Sequence, residues 1–187
     1  MRTFSKLTKE VAKLIDINKF GVIPTDTIYG VVGSAISPRV VEEIYTIKNR
    51  DRKKPMIVLV SSIKDLEKYF EIEAPEGLDK LWPGRVSVIL KCKKFPHIHR
   101  GKETIAFRVP DNEELRIFIS KTGPLVAPSA NPEDRPPALT IGKAKTYFGN
   151  KVDFYVNKGK LNAKASTLVK YRNGDLEVLR QGDVILE

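Results

Sequence analysis

Several side chains spread along the 187 residues have the types needed to hold a phosphorylated ligand without a protein nucleophile. They are Thr25, Thr27, Lys48, Arg50, Lys54, Thr104, Arg108, Ser129, Asn131, Ser166 and Arg180. Small hydroxyls and amides orient a ligand, and fixed cations offset charge that develops on phosphorus. Phosphoryl and nucleotidyl transfer need little else besides Mg2+. The densest stretch is Pro24-Thr25-Asp26-Thr27-Ile28-Tyr29-Gly30, directly after the apolar run Gly21-Val22-Ile23. Pro24 fixes φ and removes a backbone donor, while Gly30 and Gly33 permit tight turns or close approach. Two readings are open for it: an ordinary polar turn between buried strands, or hydroxyls lining a small-molecule site.

Other chemistries lack their residues. The chain has no GxxxxGK[ST] loop, no GxGxxG after a strand, no GxSxG elbow and no HExxH. Ser129 follows an apolar run without that elbow, so a Ser-His hydrolase is not expected. His97 and His99 sit in a Lys/Pro-rich loop without neighbouring Cys or carboxylate clusters, so no protein-held metal site is expected either. The single cysteine, Cys92, reads as a small strand residue and fits a reducing, cytoplasmic setting.

Composition agrees with an anion-handling protein. The chain is 41% hydrophobic and 30% charged, a globular balance, and its length suits one domain. Lys plus Arg is 33 against 23 Asp plus Glu, a net charge of +10. That excess favours a nucleotide, nucleic acid or other polyanion. No apolar run approaches the roughly 20 residues that cross a bilayer. Residues 48–54 hold five cations and one anion.

The elements that must position these groups follow from periodicity and breakers. Thr8 caps a helix to about Asn18, carrying Val11, Leu14 and Ile15 on one face. Ser37-Pro38 opens a second helix, with Val40, Ile44 and Ile47 as its stripe, which runs into the basic cluster. Pro55 stops it before the strand Met56-Ile57-Val58-Leu59-Val60, so the cluster lies on a loop. Ser62 with Asp65 resembles a capping box opening a helix to about Tyr69. A short helix is expected over 76–81, strands over 85–91 and 104–109, and a basic loop over 93–102. In the second of those strands Ile105, Phe107 and Val109 share one face, and Thr104, Ala106 and Arg108 the other. Asp111 with Glu114 is expected to cap a helix that Gly123 closes. Pro124-Leu125-Val126-Ala127 is a strand ending at Pro128-Ser129-Ala130-Asn131, and Thr140 caps one more helix. Residues 152–156 form a strand. Residues 166–171 and 176–180 flank Arg172-Asn173-Gly174-Asp175, a type I′ hairpin signal. The fold class expected is α/β, one domain with an open twisted mixed sheet, flanking helices and a late hairpin.

Taken in order, the motifs resemble those of the YrdC/TsaC family of L-threonylcarbamoyladenylate synthases. Residues 24–30, then Lys48-Asn49-Arg50 with Lys54-Pro55 beyond it, match in sequence and order. Trp82-Pro83-Gly84 resembles the WPGP-(S/T) element, and residues 104–110 the TVAVRxP strand. Pro128-Ser129-Ala130-Asn131 is similar to the PSAN turn, Ser166-Thr167-Leu168-Val169 to STVV, and Arg180-Gln181-Gly182 to the RxG ending. The matches run over about residues 8–183. One such motif means little, but six in order are specific.

The resemblance implies a YrdC-like sheet with flanking helices around a large basic cavity. It implies a nucleotidyltransferase that converts L-threonine, bicarbonate and ATP, with Mg2+, to threonylcarbamoyl-AMP and pyrophosphate. That is the first step of N6-threonylcarbamoyladenosine formation in tRNA, and a separate transferase complex completes it. By position, Thr27, Arg108 and Ser166 would bind threonine, with Thr25 and Tyr29 shaping that pocket. Lys48, Arg50, Lys54, Thr104, Ser129, Asn131, Thr140 and Arg180 would bind ATP. Arg50 and Lys54 would stabilise charge at phosphorus as the catalytic cations. The protein itself is expected to supply no metal ligand set. The expected form is the short one, a single domain over 1–187 without the extra C-terminal domain.

The chain departs from the family pattern at four places. Arg85 replaces the second proline of WPGP, and Ser87 stands where threonine is usual. The turn after Asn131 reads Pro-Glu-Asp-Arg-Pro-Pro rather than a Ser-Gly loop, and Lys170 sits where an aspartate often ends STVV. The competing reading is a non-catalytic domain that binds double-stranded RNA or tRNA in the same basic cavity. The chain has neither RNP aromatics nor a KH loop, and such a groove would not require Arg108 and the hydroxyls.

Overall fold

A computed structural model describes residues 2–172 and 175–186. Ten strands form one mixed sheet: β1 (Arg2–Phe4), β2 (Gly21–Pro24), β3 (Tyr29–Ser34), β4 (Ile57–Leu59), β5 (Val86–Lys91), β6 (Thr104–Arg108), β7 (Leu125–Val126), β8 (Phe154–Val156), β9 (Thr167–Arg172) and β10 (Asp175–Arg180). Their spatial order is β1-β8-β2-β3-β7-β4-β6-β5-β9-β10. The pairs β1/β8, β2/β8, β4/β6 and β5/β9 are parallel, and the other five are antiparallel.

Six helices cover the sheet: α1 (Lys9–Asp16), α2 (Pro38–Lys48), α3 (Lys64–Phe70), α4 (Pro96–His99), α5 (Glu113–Thr122) and α6 (Ile141–Phe148). Among the described residues none is long and apolar enough to cross a membrane. The Thr8 and Thr140 hydroxyls cap α1 and α6 by accepting from Val11 N and Lys143 N, both at 3.2 Å.

Strand alternation sorts the core into two layers. On one face Val22, Val31, Val58, Val88, Phe107 and Val126 pack under α2, α3, α4 and α6. Gly33 lets α2 sit this close, since a Cβ there would lie 2.3 Å from Val40 Cγ1. On the opposite face Ile23, Val32, Leu59, Leu125, Phe154 and Val156 pack under α1 and α5. These two helices cover β8, β2, β3, β7 and part of β4. Along β4, β6, β5 and β9 the same face continues as Ile57, Ala106, Arg108, Ser87 and Leu168, by the registers Ile57↔Ala106, Leu59↔Arg108, Ile89↔Ala106 and Ser87↔Leu168. Those residues line a cavity on the part of the sheet that the α1/α5 layer does not reach.

Several boundaries differ from expectation. Strand β1, three residues joined in parallel to β8, has no periodic signal in the sequence. The α5 cap is Asn112, whose side chain accepts from Leu115 N at 2.9 Å, rather than Asp111 with Glu114. Asp65 does not form a box with Ser62; its carboxylate accepts from Ser61 N and Oγ, both at 2.7 Å, and α3 starts after Ile63. Residues 76–81 hold only a 3-10 turn, Leu78–Lys80, and the basic loop contains α4. Strands β9 and β10 pair antiparallel as a hairpin requires. Asn173 and Gly174, on which the I′ expectation falls, lie outside the described residues.

Candidate active site

Residues 25–28 join β2 to β3 as a turn closed by its own hydroxyl. Thr25 Oγ1 donates to Ile28 O at 2.7 Å and accepts from Thr27 N at 3.2 Å. The Thr25 proton is therefore committed, and Thr27 Oγ1, 3.1 Å from Thr25 Oγ1, is free to donate elsewhere. Both side chains line the cavity, whose volume is about 270 Å3. The turn and the site are one feature. Gly30 bridges Ser129, Val31 N donates to Pro128 O at 2.9 Å and Ala130 N to Tyr29 O at 2.8 Å, which docks the 128–131 turn beside β3. The Tyr29 hydroxyl is already engaged, donating to Gly159 O and accepting from Lys158 N.

One cluster in the wall gathers around Arg108. Its Nη2 donates to Asp26 Oδ1 at 2.9 Å and reaches Thr27 Oγ1 at 3.4 Å. Burial pushes the Arg108 pKa down, Asp26 opposes that, and the nearby Arg180 and Arg85 add to it. Arginine nevertheless stays charged. Ser87 Oγ and Ser166 Oγ lie 2.7 Å apart. Arg180 Nη2 donates to Ser166 O at 2.9 Å, and burial lowers its pKa too.

A second cluster gathers around the basic loop. Arg50 faces the cavity with Nη2 donating to Pro55 O at 2.9 Å and Nε to Lys54 O at 3.3 Å. Lys54 Nζ pairs with the Glu133 carboxylate, which also accepts from Asp51 N. This contact raises the Lys54 pKa and lowers that of Glu133. Lys48 closes α2 and is buried, 2% exposed, with Nζ donating to Ser129 O and Asn131 O. Its pKa is lowered to about 7, first by burial and then by Arg50, with Glu133 opposing. Asn131 spends its amide on Pro132 O and Arg135 O, at 2.8 and 2.7 Å.

The cavity wall thus brings together Thr27, Arg50, Arg108, Ser129, Ser166 and Arg180. Lys48, Lys54, Thr104, Asn131 and Thr140 do not line it. Lys48 and Asn131 shape the 128–135 turn from behind. Thr104 shares the face of Ala106 and Arg108 but sits at the start of β6 opposite Lys91. Thr140 spends its hydroxyl on the α6 cap. Three contributors were not anticipated: Asp26, Glu133, and Ser87 as a partner of Ser166. Ser87 was legible as the polar member of an alternating strand. The burial of Lys48 also had a signal, since it continues the stripe Val40, Ile44 at i+4. Glu133 had none, because its contacts to Asp51 and Lys54 span about eighty residues of sequence.

Three guanidiniums and no carboxylate in the wall make this an anion site that places hydroxyls beside the cations. Comparison with known proteins agrees. The Sua5/YciO/YrdC family model, described as "Telomere recombination", matches residues 13–182. A Methanocaldococcus jannaschii protein is 30% identical over 186 residues, covering 97% of this chain and 88% of its own length. Bacillus subtilis threonylcarbamoyl-AMP synthase is 35% identical over 135 residues, 68% of this chain and 39% of that protein. Among solved structures, Pyrococcus abyssi Sua5 complexed with L-threonine superposes with a TM-score of 0.87 at 26% identity, covering 97% of this chain and 57% of that one. The chain therefore spans most of the first relative and about half or less of the other two.

Proposed function

The chain belongs to the Sua5/YciO/YrdC family, and from that premise we propose that it is a threonylcarbamoyl-AMP synthase, a nucleotidyltransferase using L-threonine, bicarbonate and ATP. The observation that carries this reading is the single cavity in which Thr27, Arg108, Ser166 and Arg180 stand with Arg50 and Ser129. A guanidinium beside hydroxyls suits an amino acid carrying both a carboxylate and a hydroxyl. Cations around a loop suit a triphosphate.

On this reading the threonine amine and bicarbonate give a carbamate with loss of water. A carbamate oxygen attacks the α-phosphorus of ATP, the bond to the bridging oxygen breaks, and pyrophosphate leaves with the electron pair. No covalent enzyme intermediate is required. Arg108 holds the threonine carboxylate, with Thr27 and Ser166 at its other polar groups. Ser129, and Asn131 and Lys48 through the turn they shape, set the nucleotide side with Arg180. Arg50 and Lys54 offset charge as the phosphorus becomes pentavalent, Lys54 by exchanging Glu133 for phosphate. Mg2+ carried on the triphosphate would add charge neutralisation there. No cluster of three His, Cys, Asp or Glu exists among the described residues, a donor set that suits a cation held mainly by phosphates and water.

The setting we propose is cytoplasmic, with the product passed to a transferase that modifies tRNA. The decisive test is pyrophosphate release from ATP by the purified chain. Release that requires both L-threonine and bicarbonate is expected. Release independent of either, or none at all alongside salt-sensitive RNA binding, overturns the assignment.

A further inference from the structure

Asp26 is the one buried charged side chain at the cavity that the proposed chemistry leaves without a task. Its side chain is 0% exposed, and that of its partner Arg108 is 5% exposed. Its two oxygens are committed to different elements. Oδ1 accepts from Arg108 Nη2 at 2.9 Å, and Oδ2 accepts from Asp111 N at 3.0 Å, just past the end of β6. The carboxylate is thus pinned by the backbone and in turn pins one nitrogen of the guanidinium. Arg108 Nε is buried with no partner, so no other protein contact fixes the fork from that side.

The charges also fall into pairs. Arg85 pairs with Asp183, and Arg108 with Asp26. Arg180 bonds only to Ser166 and has no carboxylate partner among the described residues. This end of the cavity therefore carries one uncompensated positive charge, which matches one ligand carboxylate. Without Asp26 there would be two, and the guanidinium would be free to swing toward Thr27 Oγ1, already 3.4 Å away.

We propose that Asp26 is a positioning residue: anchored by Asp111 N, it aims the Arg108 guanidinium at the ligand carboxylate and sets the charge of that subsite to match a single carboxylate. This rests on the reading of Arg108 as the threonine-carboxylate residue. It predicts an effect on carboxylate recognition that a purely structural role would not produce.

The test compares L-threonine with L-threonine amide, by direct calorimetric binding, in the wild type and in Asp26→Glu. The ratio of the two affinities does not depend on how much protein is folded. The Glu variant keeps the net charge and moves the carboxylate by one methylene, so it isolates aim. The wild type should favour the acid by roughly ten-fold or more, the value of a charge-assisted contact, and Asp26→Glu should bring the ratio close to one. An unchanged ratio in the folded variant overturns the positioning role while leaving the threonine site standing. A wild type that does not distinguish acid from amide overturns the Arg108 reading itself, and the proposal with it. Should Asp26→Glu not fold, Asp26→Asn is read in the same way. Its added net positive charge favours the acid, so a fallen ratio there is the stricter support and an unchanged or raised one the refutation.

Discussion

The buried lysine at the end of α2 gives a stability prediction whose sign is fixed by the structure. Lys48 is 2% exposed, and its pKa is lowered from 10.5 to about 7, chiefly by burial. Below pH 7 the group is protonated folded and unfolded, and the cost of burying the charge is fully present. Above pH 7 the folded protein releases the proton while the unfolded chain keeps it until about 10.5. The unfolded state then binds more protons, so stability rises with pH across that window. At 1.4 kcal/mol per unit, less the half-titrated start, the gain from pH 7 to 9 is about 2 kcal/mol. The neutral amine still has two hydrogens for the two carbonyls, so the turn it holds is kept. Lys48→Met removes the titration. It leaves Asn131 O without its donor, while Ser129 O keeps Asn131 N at 2.9 Å, a pH-independent cost of about 1–3 kcal/mol. Cys92, Tyr29 and Tyr155, the last pushed up to about 12, make stability fall at higher pH, equally in both proteins. Urea unfolding at pH 7, 8 and 9 should therefore show the wild type gaining about 2 kcal/mol on Lys48→Met. A difference that stays flat over this range would show that Lys48 is not depressed and that burial does not dominate its charge.

Three substitutions probe the site more directly. Thr27→Val keeps the shape and removes the hydroxyl near Arg108; the KM for L-threonine should rise about ten-fold with that for ATP little changed, and equal effects on both would remove Thr27 from the threonine pocket. Arg50→Ala should lower kcat/KM for ATP by about 10²–10³, as loss of one transition-state charge contact does, and a change under three-fold would argue against Arg50 as a catalytic cation. Gly182→Ala would set a Cβ 2.2 Å from Ala165 O and 2.5 Å from Thr167 N, both backbone, so the segment carrying Ser166 must shift. At about 1–3 kcal/mol of strain the Tm should fall by roughly 3–10 °C with a raised KM for threonine, and an unaltered Tm would refute the close approach.

What the sequence made legible is what depends on local periodicity. The alternation over 104–109 put Arg108 on the opposite face from Ile105 and Phe107, and the fold has them so. The caps Thr8 and Thr140 follow from a hydroxyl before an apolar stripe. Asp111 and Asn112 are adjacent and equally suited to cap α5, so local chemistry could not choose. The choice was made at long range, because Asp111 N is spent on Asp26. Strand β1 was hidden for the same reason, since three residues earn their place only by pairing with β8 about 150 positions later. At the site, residue types were visible but their distances were not. The sequence offers Lys48, Arg50 and Lys54 as one basic run. The fold turns Arg50 into the cavity, buries Lys48 under a turn, and gives Lys54 to Glu133.

That division shows how a cavity can stay cationic and still be rigid. A carboxylate would fix a guanidinium most firmly, but it would also cancel the charge a ligand needs. Most cations here are fixed by carbonyl oxygens instead: Arg50 by Lys54 O and Pro55 O, Arg180 by Ser166 O, Lys48 by Ser129 O and Asn131 O. A carbonyl dipole orients a cation without neutralising it. Carboxylate pairing is kept for two places. Asp26 meets Arg108 at the most buried point, where an unpaired guanidinium would cost most, and Glu133 meets Lys54 at the exposed rim, where exchange for a phosphate is cheap because water already screens the pair. Burial therefore sorts the two clusters by task. The dry one is preset for a small ligand with one carboxylate, and the wet one is left exchangeable for a flexible polyanion.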